Sequence, residues 1–139
     1  MSKDMKRKAF TLVELMLVVI IIGVLVSMVV PRMSGRSEEA RKSVAKADVD
    51  LNIATALKLY DIDNGRFPTT EEGLAALMAA PSSAKNWKGP YLEKKPLDPW
   101  GNEYQYRSPG THRTTDYDLF SLGHDGVESD DDVVNWSVN

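Results

Sequence analysis

An α+β protein is predicted, with a long N-terminal helix laid on a small antiparallel sheet, and three observations carry that reading. A nearly unbroken apolar run from Leu12 to Val30 leads into an amphipathic stretch that ends at Asn64-Gly65. The second half of the chain holds short, alternating apolar segments separated by turn residues. No strand-helix-strand repeat suggests a parallel sheet.

The first nine residues hold Lys3, Lys6, Arg7 and Lys8 against Asp4, within a net charge of −3, so the remainder carries about −6. An acidic body without a long basic stripe excludes nucleic acid as the main partner. The run from Leu12 to Val30 is about 19 residues, close to a bilayer crossing. The preceding cations hold its start in the cytoplasm and send the body outward. A cleaved secretory signal does not fit, because the run outlasts such a core and meets Pro31 instead of a small-x-small site. A plain signal anchor fits the length but leaves Glu14 without a role. An acid facing hydrocarbon needs a cation, and a cut between Ala9 and Phe10 would create one: the new α-amino group lies four residues before Glu14. Between staggered copies, that pairing would set register.

Pro31 and Gly35 predict a kink or melted stretch over 31–35. Ser37 is then the N-cap of a restarted helix, which Asn64-Gly65 stops. Its apolar face reads as Ala40, Val44, Ala47, Leu51 and Ala54, widened by Val49, Ile53, Ala56, Leu57 and Tyr60. That stripe is too broad and Ala-rich for a coiled-coil seam. From Phe10 to Asp61 the stalk spans roughly 75–80 Å at 1.5 Å per residue. In "FPTTEEGLAALMAAP", Thr69 with Glu72 is a capping box and Pro81 a stop, giving a short helix that turns Leu74, Leu77 and Met78 inward.

"EYQYR", "DYDLFSLG" and "VVNWSV" read as strands, with "DPWGN" as turn chemistry through Pro99, Gly101 and Asn102. Trp87, Tyr91, Trp100, Tyr104 and Tyr106 are read as core and subunit contacts. There are no cysteines, so neither a disulfide nor a thiolate is available. The histidines, His112 and His124, come with no orienting group or nucleophile motif, so no enzyme is expected. "LGHDGVESDDDVVNW" gathers Asp125, Asp130, Asp131 and Asp132, oxygen ligands suited to a hard cation or simply a solvated acidic turn. It is not an EF-hand, since Val127 and Asp130 stand where that loop needs an acid and a glycine.

"KAFTLVELMLVVIIIGVL" resembles the class III signal of type IV pilins and pseudopilins, with Ala9 where that family usually has glycine. "LYDIDNGRFPTTEEGLAAL", "GPYLEKKPLDPWGNEYQYRSPG" and "YDLFSLGHDG" resemble successive blocks of the major pseudopilins of type II secretion. The resemblance implies a leader at 1–9 and a transmembrane and filament-core helix over 10–35. Residues 36–139 then form a periplasmic head of pilin-like fold. It implies cutting between Ala9 and Phe10 by a prepilin peptidase, N-methylation of Phe10, and a registering role for Glu14. It also implies Ca2+ held by Asp125, Asp130 and Asp132 with the carbonyls of Leu122 and Val127, Ser129 and Asp131 carrying less weight. The expected function is a structural subunit of an inner-membrane-anchored pseudopilus. Its partners would be itself, minor pseudopilins and the assembly platform. The alternatives are a type IV pilus subunit and a monomeric, membrane-anchored calcium-binding domain.

Overall fold

The computed structural model describes residues 10–137, side chains of 29–34 excepted. The chain divides into two units, one ending at Glu38 and the other beginning at Glu39.

In the first unit, helix α1 (Leu12–Ala47) starts just after Thr11. The hydroxyl of Thr11 accepts the Glu14 N–H at 3.2 Å, and the Glu14 carboxylate accepts the Thr11 N–H at 3.5 Å. This is a capping box, satisfying two of the donors that a helix start leaves without partners. Fifteen large apolar side chains from Phe10 to Met28 are 45–81% exposed. Among the described residues no helix is long and apolar enough to cross a membrane; the run counted from sequence also includes Val29 and Val30, whose side chains are not described.

Helix α1 is continuous through 31–35, which corrects the expected melted stretch. A proline removes one ladder bond, whereas the flanking N–H groups keep theirs. No helix start therefore exists at Ser37, and no capping position for it to fill.

In the second unit, α1 gives way to a π-helical turn (Asp48–Asn52) and then α2 (Ile53–Asn64), which ends on Gly65 at φ 72°. The buried face is Ala45, Val49, Ile53, Ala56, Leu57 and Tyr60. Residues at a strict four-residue spacing drift roughly 40° per step around a regular helix. The wider π turn takes up that drift and keeps Ala45, Val49, Ile53 and Leu57 on one side. The stripe led by Ala40, Val44, Ala47 and Leu51 is consequently exposed, with Ala54 half-buried, contrary to the expectation from periodicity.

The Thr69–Glu72 capping box forms, with the Thr69 N–H on Glu72 Oε2 at 2.8 Å. Beyond it the chain makes a single 3₁₀ turn (Leu74–Leu77) instead of the expected helix, because Gly73 takes φ 58°, ψ −164° and breaks the ladder. Leu77 is buried, and Leu74 and Met78 half-buried.

Strands β1 (Gln105–Arg107), β2 (Asp118–Ser121) and β3 (Val133–Val134) form an antiparallel sheet in that order. Tyr106 faces Leu119 and Phe120 faces Val134. The central strand β2 is buried along its whole length, so the alternation expected of a strand with one solvated face is absent there. Tyr104, Tyr106, Tyr117 and Leu119 pack with the helix residues into one core, and Trp87 and Tyr91 close its edge. The "DPWGN" turn is held by Asp98, which its turn chemistry did not single out. Asp98 Oδ1 accepts the N–H groups of Trp100 and Asn102 at 3.0 and 2.8 Å, and its Oδ2 takes the Ser121 hydroxyl of β2 at 2.6 Å.

Candidate functional site

The acidic loop joins β2 to β3, and its backbone is shaped before any carboxylate converges. Gly123 and Gly126 adopt φ 65° and 70°, values that side chains rarely take. Between them Asp125 turns its Oδ1 onto the Val127 N–H at 3.0 Å, an Asx turn. The Asp132 N–H then reaches the Ser129 carbonyl at 3.3 Å, making a tight turn with Asp130 and Asp131 at its centre. The Ser129 hydroxyl bonds Asp131 Oδ1 and folds that carboxylate back over the loop.

Oxygens of Asp125, Asp131 and Asp132 come within 4.8 Å of one another. Asp130, expected among the ligands, is not in this group, and Asp131 stands where it was expected. Asp130 and Asp131 are both exposed, but Asp131 is held by the Ser129 hydroxyl within reach of Asp125 and Asp132. Leu122 is half-buried directly after β2, and Val127 is exposed.

The charges of the group are not balanced from within. Asp132 Oδ1 is buried without a hydrogen-bond partner. Burial, then the charges of Asp131, Asp125 and Glu128, push the Asp132 carboxyl above the usual carboxylate range. Asp131 is lowered, chiefly by the Ser129 hydroxyl. Hard divalent cations take oxygen donors of this kind, and solvated acidic turns present them as well.

Both sides of the loop are anchored. The Asn135 side chain accepts the Leu119 N–H at 3.0 Å and donates to the Tyr117 carbonyl at 3.1 Å, extending the β2–β3 pairing by side chain. Trp136 stacks on His112 with ring centres 4.1 Å apart, and lies edge-on to Phe120. His112 Nδ1 lies 3.1 Å from Asp118 Oδ2. Asp118, wholly buried at the start of β2, also accepts the N–H groups of Thr111, His112 and Arg113 at 2.7, 2.9 and 2.8 Å and the Thr111 hydroxyl at 2.9 Å. Burial alone would raise this carboxyl, yet the converging donors outweigh it and hold it at about 2. From the helix side, Lys46 Nζ donates to the Val134 carbonyl at 2.7 Å. Neither Asp118 nor Asn135 stands out in the sequence. A lone Asp before an apolar run and an Asn after one carry no spacing signal that separates an anchor from a solvated polar residue.

At the other end of the chain, Phe10 is 81% exposed and Glu14 is engaged with Thr11. Ala9 lies outside the described residues.

Comparisons with known proteins give two family matches. Residues 32–136 match "Type II secretion system (T2SS), protein G", and residues 4–30 match "Prokaryotic N-terminal methylation motif". Among curated relatives, a type II secretion system core protein G of Klebsiella pneumoniae is 46% identical over 138 residues, covering 96% of each chain. Its counterpart in Pseudomonas aeruginosa is also 46% identical, covering 94% of this chain and 96% of the relative. The crystal structure of the major pseudopilin from the type 2 secretion system of enterohaemorrhagic Escherichia coli superposes with a TM-score of 0.66 at 36% identity. That match covers 73% of this chain and 87% of the other.

Proposed function

The chain belongs to the protein G family of type II secretion systems, and from that membership we propose that it is the repeating structural subunit of a pseudopilus. The observation that carries this reading is the family match over 32–136, joined to an N-terminal methylation motif over 4–30. A type IV pilus subunit would share the second match but not the first.

The physics of the N-terminal unit supports the same role. Fourteen large apolar side chains exposed on α1 from Leu12 to Met28 would each cost on the order of 1–2 kcal/mol in water. Such a surface persists only against lipid before assembly and against other copies afterwards. The chain enters the inner membrane with Lys3, Lys6, Arg7 and Lys8 on the cytoplasmic side and its head in the periplasm. A prepilin peptidase cuts between Ala9 and Phe10, and Phe10 is N-methylated. Glu14 then pairs with the amino group of a neighbour's Phe10, exchanging the weak local bond to Thr11 for a charge-assisted one. Growth of the filament from an inner-membrane platform, with minor pseudopilins as partners, moves folded proteins toward the outer membrane. The energy comes from elsewhere than this chain, whose own role is structural.

The acidic loop fits calcium, and Asp125, Asp131 and Asp132 would hold it with carbonyl oxygens of the loop, Leu122 and Val127 being the candidates. The ion would supply the positive charge that Asp132 Oδ1 lacks. Bound only to the folded loop, it stabilises the head by mass action where other small secreted domains use disulfides.

The test is electron microscopy of cells carrying the secretion system, with the intact mass of the extracted subunit measured alongside. Filaments containing a chain that begins at methylated Phe10 are expected, and Glu14→Ala should abolish them while the head stays folded. A full-length mass with no filaments would return the chain to a monomeric, membrane-anchored domain.

A further inference from the structure

Strand β3 is only two residues long and forms one edge of the sheet, yet it sets where two of the three clustered carboxylates stand, because Asp131 and Asp132 run directly into Val133. Asp125 reaches the cluster from the other limb of the loop, after β2. The three carboxylates therefore converge only while β3 keeps its place. On its inner side the Asn135 N–H donates to the Leu119 carbonyl at 3.1 Å. The Val134–Asn135 peptide is trans, so its C=O points opposite to that N–H and away from the sheet. Among the described residues no strand lies on that side. The Val134 carbonyl instead receives Lys46 Nζ, from helix α1, at 2.7 Å. The same ammonium lies 3.1 Å from Asp50 Oδ1 in the π turn. Lys46 thus ties a peptide two residues past Asp132 to the helix.

A second lysine faces the loop from one turn earlier on α1. Lys42 and Lys46 both line a cavity of about 830 Å³ that Asp130, Asp131 and Asp132 line as well. The Ser129 hydroxyl lowers the Asp131 carboxyl most, burial opposes it, and the charge of Lys42 lowers it further. A lysine that favours the bare carboxylate competes with a bound cation. The charge of Lys46 is spent instead on the Val134 carbonyl and on Asp50. We infer that Lys46 is a positioning residue for the cation, holding β3 from the helix so that Asp131 and Asp132 stay within reach of Asp125; that role rests on the acidic loop being a calcium site. Long-range repulsion alone would make removal of either lysine tighten binding. Positioning gives Lys46 the opposite sign.

The contrast between the two lysines is the test. Calcium chloride is titrated calorimetrically into the full chain in detergent, stripped of metal beforehand, at a temperature where melting curves show every variant folded. The parent is expected to bind. Lys46→Met keeps the length of the side chain without the ammonium, and should bind about three- to tenfold more weakly, the effect of losing one exposed charge-assisted hydrogen bond. Lys46→Arg, which keeps the charge and the donors, should stay near the parent, and Lys42→Met should bind more tightly. Because the Lys46 side chain is 51% exposed, melting without calcium should shift little in Lys46→Met. A Lys46→Met variant that binds as well as the parent, or better, overturns the positioning role and leaves the calcium reading standing. Equal weakening by Lys42→Met and Lys46→Met overturns it too, since the loss then belongs to the helix surface and not to the Val134 bond. A parent that does not bind calcium overturns both readings.

Discussion

Asp118→Asn is the substitution whose consequence the structure sets most tightly. The carboxylate is wholly buried and accepts from three backbone N–H groups, the Thr111 hydroxyl and His112 Nδ1. An amide of the same shape keeps one oxygen. If that oxygen serves Thr111 and His112, the new NH2 faces the Arg113 N–H, which sits 2.8 Å from Asp118 Oδ1. A buried donor left unsatisfied costs about 1–3 kcal/mol, and the bonds that survive lose their charge assistance. The sum is about 3–5 kcal/mol at neutral pH, a large share of the stability of a domain this size. The pH dependence adds an independent signature. The folded carboxyl sits at about 2 against 3.8 for the ordinary group. A depressed folded value contributes stability that is complete above the unfolded value and is lost as pH falls toward 2, here roughly 2 kcal/mol between about pH 5 and pH 2. Urea unfolding of the full chain in detergent, followed by tryptophan fluorescence from pH 7 to pH 2, reads both effects. The Asn variant should start lower and fall less steeply in acid. A loss under about 1 kcal/mol at pH 7, or an acid slope equal to the parent's, would refute the account of Asp118 as a charged anchor.

Three further outcomes rest on particular contacts. Gly110→Ala places a Cβ 2.4 Å from Asp118 Oδ1 and 2.7 Å from the Arg113 carbonyl, so it should destabilise by about 2 kcal/mol or more and be far from additive with Asp118→Asn in a double-mutant cycle. Glu72→Gln removes the acceptor of Arg66 and the Ser83 hydroxyl; the Arg66 pairing first, against burial, holds Glu72 at about 2. Because Arg66 is 36% exposed, a loss of only about 1 kcal/mol is expected, vanishing as pH falls from about 4 toward 2; a loss unchanged at pH 2 would count against the ion pair. Calcium at about 100 times its dissociation constant should stabilise the parent by about 2.7 kcal/mol. In thermal melts Asp132→Asn should abolish that shift and Asp130→Asn should leave it, and the reverse order would restore Asp130 as the ligand.

Local chemistry explains which elements were legible in the chain. The helix stop at Asn64-Gly65 and the Thr69–Glu72 box are decided within a few residues, and both form as expected. Thr11-x-x-Glu14 is an equally plain capping box, but the cost of its acid in lipid pointed to a distant cation, whereas the nearest partner is the local Thr11. The expected melting at 31–35 failed for the opposite reason: a proline and a glycine are local signals, and the continuous ladder around them outweighed both.

By itself, the sequence determined the α+β class, the exposed apolar N-terminal helix, the absence of a disulfide and the place of the acidic loop. Those properties depend on composition, on hydrophobic runs and on motifs a few residues long. Only the tertiary structure decided which face of the second helix is buried, since Val44 and Leu51 are as apolar as Val49 and Ile53 and differ only in which side of the helix meets the core. It also decided that Asp131 joins Asp125 and Asp132, because three carboxylates meet only when the Ser129 turn folds one of them back. Asp118 became an anchor only through Thr111, His112 and Arg113 closing around it, a convergence of backbone N–H groups that no side-chain spacing encodes.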